Sequence, residues 1–298
     1  MLKRSHHMGI ALCVLAALLW GTNGIFVKKI VGITPLGITS FRLLFGFLGI
    51  VFLITYQRRW SEIKVSLKDF FPFFGLGFIM NVNVLWAMHA FRLTTVANAA
   101  IVSNTTPIYV TFFAWWILKE KTSSKEWMGI GLTFLGIFSI FSSHEISLTS
   151  ADFFGNFYAL LSAISFAIYI VVGRKLRQSY SYLTSMFWVF GWGGLFGLIE
   201  SVLMRSPLWD HPDWNDFYYL VVMGILGTLF GHTLFNASLK IIRASMASTI
   251  NLLSPVASIV YAMIFLQERP TMLTVFGLIL VIYGIYFVNI FAPKKGYE

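Results

Sequence analysis

Apolar runs long enough to cross a membrane recur along the whole chain, with polar and basic residues gathered in the gaps between them. A bilayer core asks for about 20 consecutive apolar residues per helix. On that scale the pattern predicts ten helices, at roughly 8–27, 35–56, 70–91, 95–118, 127–143, 153–173, 182–204, 216–239, 244–266 and 271–291. The first run follows Lys3 and Arg4 as a signal peptide would. It lacks a small-residue cleavage site and ends in Trp20-Gly21-Thr22-Asn23, so it reads as a retained helix. No linker or soluble domain interrupts the series. The longest polar gap, Arg205 to Asp216, reads as an external turn.

One stretch occurs twice. Ala97 to Gly136, moved forward by 148 residues, falls without a gap on Ser245 to Gly284. Pro107 meets Pro255, Glu120 meets Glu268, Gly129 meets Gly277 and Gly136 meets Gly284. Each proline removes the donor for the carbonyl four residues earlier, Ser103 or Asn251. Within a bilayer a freed carbonyl is tolerated where it is buried in protein or lines a cavity. The doubled stretch therefore predicts two kinked helices offering polar groups near mid-membrane. The first parts of the halves agree more weakly, with Gly9–Ile30 on Gly155–Leu176. Five helices per copy is an odd number, so the second copy enters upside down. The expected fold is an all-α integral membrane protein of ten transmembrane helices, in two inverted repeats, 1–148 and 149–298. Inverted repeats of this kind place a substrate site at their interface near the midplane.

Composition agrees: 57% of residues are apolar, 11% are charged and mean hydropathy is +0.77. The net charge of +10 could mean nucleic acid, but the basic residues are distributed as topology markers. With the N-terminus in the cytoplasm, 16 Lys and Arg fall in inside loops and 5 outside, with Arg42 inside helix 2. Both termini are thus expected to be cytoplasmic in a plasma membrane, the inner membrane of a bacterial cell, with lipid and a small-molecule substrate as partners and no nucleic acid. Cys13 stands alone, so no disulfide framework exists.

The Trp20-Gly21-x-Asn23 end of helix 1, Arg42, the doubled proline helix, Glu120 and Glu268 together resemble the drug/metabolite transporter superfamily, in its ten-helix EamA-type form. The resemblance covers essentially the whole chain. It implies a carrier of amino acids, related metabolites or drugs, some members exporting and others importing compounds such as S-adenosylmethionine, with the site in a central cavity. One departure is that the second half carries Phe166-Ala167-Ile168-Tyr169 where the first has Trp20-Gly21-Thr22-Asn23. Small proton-driven relatives use an acid in the first helix; none stands there, and Glu200 is the one acid clearly inside a span.

Candidate cavity residues follow from polar and aromatic types within the spans. The first half offers Trp20, Asn23, Asn81, Asn83, Trp86, Asn98, Ser103 and Asn104. The second offers Ser162, Tyr169, Trp188, Trp192, His232, Asn236, Asn251 and Ser254. Asn and Ser also serve as glue between helices, which is an even alternative for any one of them. Pro107, Pro255 and Arg42 are candidates for kinks and gating, with Arg42 read as a fixed or gating pair rather than a substrate contact. Glu120 and Glu268 are read as caps or loop partners. Gly193-xxx-Gly197 and Gly227-xxx-Gly231 allow close helix approach and a homodimer, without requiring one. No metal-spaced His/Glu set, nucleophile elbow or phosphate loop is present, which argues against an enzyme and for no cofactor. A membrane-embedded transferase or a receptor without flux are the competing classes.

Overall fold

A computed structural model describes residues 2–118, 123–142, 150–173, 176, 179–239, 241, 250–251 and 253–291. Among them the chain is helical, with a single isolated bridge between Ile33 and Trp209. In order the helices are α1 (Leu2–Gly21), α2 (Asn23–Lys29), α3 (Pro35–Tyr56), α4 (Leu67–Leu93), α5 (Val96–Ser103), α6 (Thr106–Leu118) and α7 (Ser124–Phe141). They continue as α8 (Ala151–Val172), α9 (Tyr182–Leu203), α10 (Trp214–Met223), a π-helical stretch (Gly224–Phe230), α11 (Gly231–Leu239), α12 (Leu253–Phe265) and α13 (Met272–Phe291). Among the described residues six stretches are long and apolar enough to cross a membrane: His7–Lys29, Pro35–Tyr56, Leu67–Leu93, Ala151–Val172, Tyr182–Leu203 and Trp214–Ser238. Three apolar helices are shorter, Trp127–Ile140, Leu253–Phe265 and Met272–Phe287.

Helix starts are set by side-chain oxygens that accept otherwise orphaned amides. Thr34 accepts from Gly37, Ser66 from Asp69, Thr95 from Asn98, Ser150 from Phe153 and Ser181 from Thr184. Asp213 and Asp216 form a reciprocal capping box at α10.

The expected fourth span departs from one kinked helix. It is two helices, with a turn at Asn104–Thr105. Pro107 occupies the first turn of α6, where an amide has no intrahelical partner and proline costs little. The freed Ser103 carbonyl does not open to the cavity alone, because Thr106 Oγ1 donates to it at 3.1 Å. Pro255 lies in α12, with helical Ile250 and Asn251 before it and Leu252 outside the described residues. Glu120 and most of the start of the expected ninth span lie outside the described residues.

Glycines set the closest helix crossings. A β-carbon on Gly136 would stand 2.8 Å from the Gly277 carbonyl, and one on Gly284 would stand 2.6 Å from the Gly129 carbonyl. The order of these partners makes α7 and α13 antiparallel. Gly193 and Gly194 of α9 lie against Leu43 and Leu44 of α3, and Gly197 lies against Ser40, which is again antiparallel. Gly227 faces Asn23 and Arg42, and Gly231 faces Trp20. Both GxxxG pairs are therefore packed against helices of the same chain.

Loops at one end of the bundle are bonded to each other. The Asp216 carboxylate accepts from the amides of Val31 and Gly32 at 2.8 and 2.9 Å. Leu208 and Gly32 carbonyls accept from the Thr34 and Asp210 amides. Arg92 donates to the carbonyls of Ile30 and Ile33, and Thr94 to Asp152. At the opposite end Tyr180 donates to Asp69, and Thr184 and Trp188 donate to the Glu62 and Ile63 carbonyls.

Candidate functional site

A cavity of about 350 Å³ lies in the middle of the helices, within the range of small-molecule sites. Trp20 and Asn23 reach it from α1 and α2, Arg42 from α3, and Asn83 with Met80, Val84, Ala87, Met88 and Phe91 from α4. Ser103, Asn104 and Pro107 enter at the α5–α6 break, with Ala100, Thr106, Val110 and Thr111. The second half supplies Ser162, Phe166 and Ile170 from α8, His232 and Phe235 from α11, and Asn251, Ser254 and Ser258 at α12. Helices from both halves of the chain close the space.

Its polar groups are held in place by the wall itself. Asn83 Nδ2 donates to the Ser162 carbonyl at 2.8 Å and Oγ at 3.0 Å, tying α4 to α8. Trp20 Nε1 donates to the Gly227 carbonyl at 2.9 Å, and its ring meets His232 edge-on at 5.1 Å. Ser258 donates to the Gly21 carbonyl at 3.0 Å. Asn104 Nδ2 donates to the Ala100 carbonyl, which also accepts from the Asn104 amide at the end of α5. Asn23 Oδ1, Ser103 Oγ and Asn251 Oδ1 are buried without a hydrogen-bond partner among the described residues. A buried polar atom left unsatisfied costs roughly 1–3 kcal/mol, so these three are open valences facing a solute space.

Other expected residues stand off the wall. Asn81 donates to Glu200 Oε2 at 3.2 Å, and Asn98 Oδ1 accepts from Thr274 at 3.0 Å. Asn236 donates back to the His232 carbonyl in its own helix. Tyr169 is buried behind the cavity and stacks on Phe166, with ring planes 6° apart. Trp188 donates to the Ile63 carbonyl, Trp192 sits among Phe70, Phe74 and Phe196, and half-buried Trp86 and buried Pro255 are not on the wall. The sequence reading passed over Met80, Met88, Phe91 and Phe235, because an apolar residue facing a cavity carries no polar signal.

At the interlocked end Glu268 Oε2 accepts from the Val96 amide at 2.8 Å, at the start of α5. A capping role was expected there, and the cap joins the two halves. Burial pushes the Glu268 carboxyl above its usual range, only partly offset by the Val96 amide and by Lys28. A carboxyl that is harder to ionise in this closed arrangement than in water makes protonation favour closure. Reagent access from that end to a cysteine replacing Phe91, in a Cys13→Ser background, is expected to slow as pH falls from the raised Glu268 value toward the ordinary carboxylate range. Rates are normalised to a cysteine at exposed Val31. Glu268→Gln should flatten the profile; acceleration on acidification would refute the linkage.

The EamA-like transporter family model matches residues 7–142 and again residues 153–290. Solute carrier family 35 member G1 of Homo sapiens is 25% identical over 287 residues, covering 92% of this chain and 77% of that protein. An uncharacterized transporter of Archaeoglobus fulgidus is 25% identical over 282 residues, covering 92% and 95%. A solved crystal structure superimposes with a TM-score of 0.67 at 14% identity, covering 96% of this chain and 98% of that one, a likeness of fold. With the family model matched on both sides of the cavity and such relatives along nearly its whole length, the chain belongs to the EamA-like transporter family, integral membrane transporters and not enzymes.

Proposed function

We propose that the protein is a secondary carrier of small organic metabolites, amino acids or related compounds, working by alternating access. Its moving parts are two inverted five-helix halves, residues 1–148 and 149–298, making ten spans when α5 and α6 count as one. The observation that carries this reading is the pattern of helix contacts. Exchanging the halves turns the α4–α8 contact into α11–α1, α6–α8 into α12–α1, and α4–α9 into the contact of the π stretch with α3. The α7–α13 and α3–α9 contacts map onto themselves and are antiparallel. Such a pattern fits a two-fold axis lying across the helices, in the membrane plane, with the cavity between the halves. Trp20 and Phe166, equivalent in the two halves, both line it.

The charge ledger supports cytoplasmic termini in a plasma membrane, the inner one in a bacterium. The interlocked loops then lie outside, and this state is closed to the exterior. A cationic, nucleotide-like solute such as S-adenosylmethionine is the weaker reading, because Arg42 lines the cavity and no acid does among its described lining residues. Counterflow in proteoliposomes, run with a panel of amino acids, organic acids, amines and nucleosides, tests the carrier. Saturable exchange of at least one class is expected; no exchange with folded protein would overturn the reading.

A further inference from the structure

We infer that the cavity takes an organic anion, with a carboxylate on Arg42 and an apolar body against the aromatic wall. The inference rests on the carrier reading above and names its substrate class. Arg42 is 5% exposed, deep within α3. Its Nε donates to Thr228 Oγ1 at 3.0 Å and its Nη1 lies 4.0 Å from Met88 Sδ. The guanidinium carries five N–H donors, so these partners leave most of the fork and all of the charge unmatched. Among the described residues it has no carboxylate partner, and no Asp or Glu lines the cavity. Glu200, the acid within α9, is engaged by Asn81 instead.

A charge kept buried without a counter-ion is expensive, and a guanidinium matches a carboxylate through two parallel hydrogen bonds. The missing partner is supplied by the solute. Neutral and cationic solutes leave the charge uncompensated or repel it. Beside the fork stands an open acceptor: a β-carbon on Gly227 would lie 2.5 Å from Asn23 Oδ1 and 3.6 Å from Arg42 Nη2. That acceptor suits a donor on the carbon next to the carboxylate, an ammonium or a hydroxyl. Around the polar end Trp20, Phe91, Phe235 and Met80 offer apolar surface for the remainder.

Matched solutes test this on the intact protein. Binding by thermal shift and exchange by counterflow are compared for phenylalanine, 3-phenyllactate, 3-phenylpropionate, its neutral amide and phenethylamine, with aliphatic mono- and dicarboxylates and their amides alongside. Carboxylates should bind and exchange, and their amide or amine counterparts should be at least about tenfold weaker, the loss expected for a charge-assisted pair. Arg42→Gln should abolish the advantage of the anion, and Arg42→Lys should keep part of it. If Arg42→Gln does not fold, the matched pairs on the parental protein decide. Exchange in which anions gain nothing over amides or amines overturns the inference and leaves the carrier standing. Absence of all exchange overturns the carrier and this inference with it.

Discussion

Gly284→Leu is expected to leave little folded, monodisperse protein. A β-carbon at Gly284 would run into the Thr133 hydroxyl and stand 2.6 Å from the Gly129 carbonyl and 2.8 Å from the Thr133 amide. Two of these three atoms are backbone and cannot rotate away, so α13 must lift off α7. Overpacking of a well-filled site costs about 1–3 kcal/mol and more where backbone must shift. Lifting one helix here also spoils the sister contact of Gly136 with Gly277. Against a total stability of roughly 5–15 kcal/mol, that loss is large. Gly131→Leu on α7 is the control, since nothing lies within 4 Å of a β-carbon there and the position is exposed. Size-exclusion profiles and melting in detergent should separate the two variants by a wide margin; similar profiles would show that the glycine contact does not hold the pair.

Pro107→Ala combined with Pro255→Ala is expected to insert and fold normally, yet to transport at least about tenfold more slowly. Proline in the first turn of α6 costs little, so Pro107→Ala should change stability by well under the ~3 kcal/mol of a helix-interior proline, and Pro255→Ala restores a donor within its helix. What changes is connectivity. The restored amide competes with Thr106 Oγ1 for the Ser103 carbonyl and drives α5 and α6 toward one continuous helix. That would turn Ser103 and Asn104 away from the wall and remove the joint between the helices. Pro107→Ala alone should alter apparent affinity more and Pro255→Ala turnover more, because Asn104 beside the first proline is matched by Leu252 beside the second. Counterflow kinetics on reconstituted protein read both terms. A stable double variant with the parental rate would rule out the two proline sites as moving parts.

Much of this architecture is legible from composition, because a bilayer leaves helices few alternatives. The cavity was half legible. Asn23, Asn83, Ser103, Asn104, Ser162, His232, Asn251 and Ser254 stand out as polar residues within apolar spans, and all line it. Asn81, Asn98 and Asn236 give the same signal but spend their amides on Glu200, Thr274 and the His232 carbonyl. Residue type cannot separate the two fates, since an asparagine or serine reads the same whether it meets a neighbouring helix or an open space. Phe91 and Phe235 were hidden for the opposite reason: lipid, core and cavity accept the same apolar surface. The break at Asn104–Thr105 did have a local signal. Thr105 Oγ1 donates to the Val102 carbonyl and Asn104 Nδ2 to the Ala100 carbonyl, as short polar side chains do where a helix stops.

The π-helical stretch Gly224–Phe230 sits inside one long apolar span, between α10 and α11. In the sequence match Gly9 pairs with Gly155 at a separation of 146 and Pro107 with Pro255 at 148, so the halves differ by two residues between these points. A π turn absorbs one added residue without lengthening the span by an extra turn. Everything after it is rotated by about 100° relative to an unbroken α-helix, one residue's share of a 3.6-residue turn. His232 and Phe235 lie just beyond, and both face the cavity. The placing of both rings thus depends on the π turn: deleting one residue from Gly224–Phe230 is expected to swing them out of the solute space while leaving the helix apolar and long enough to span.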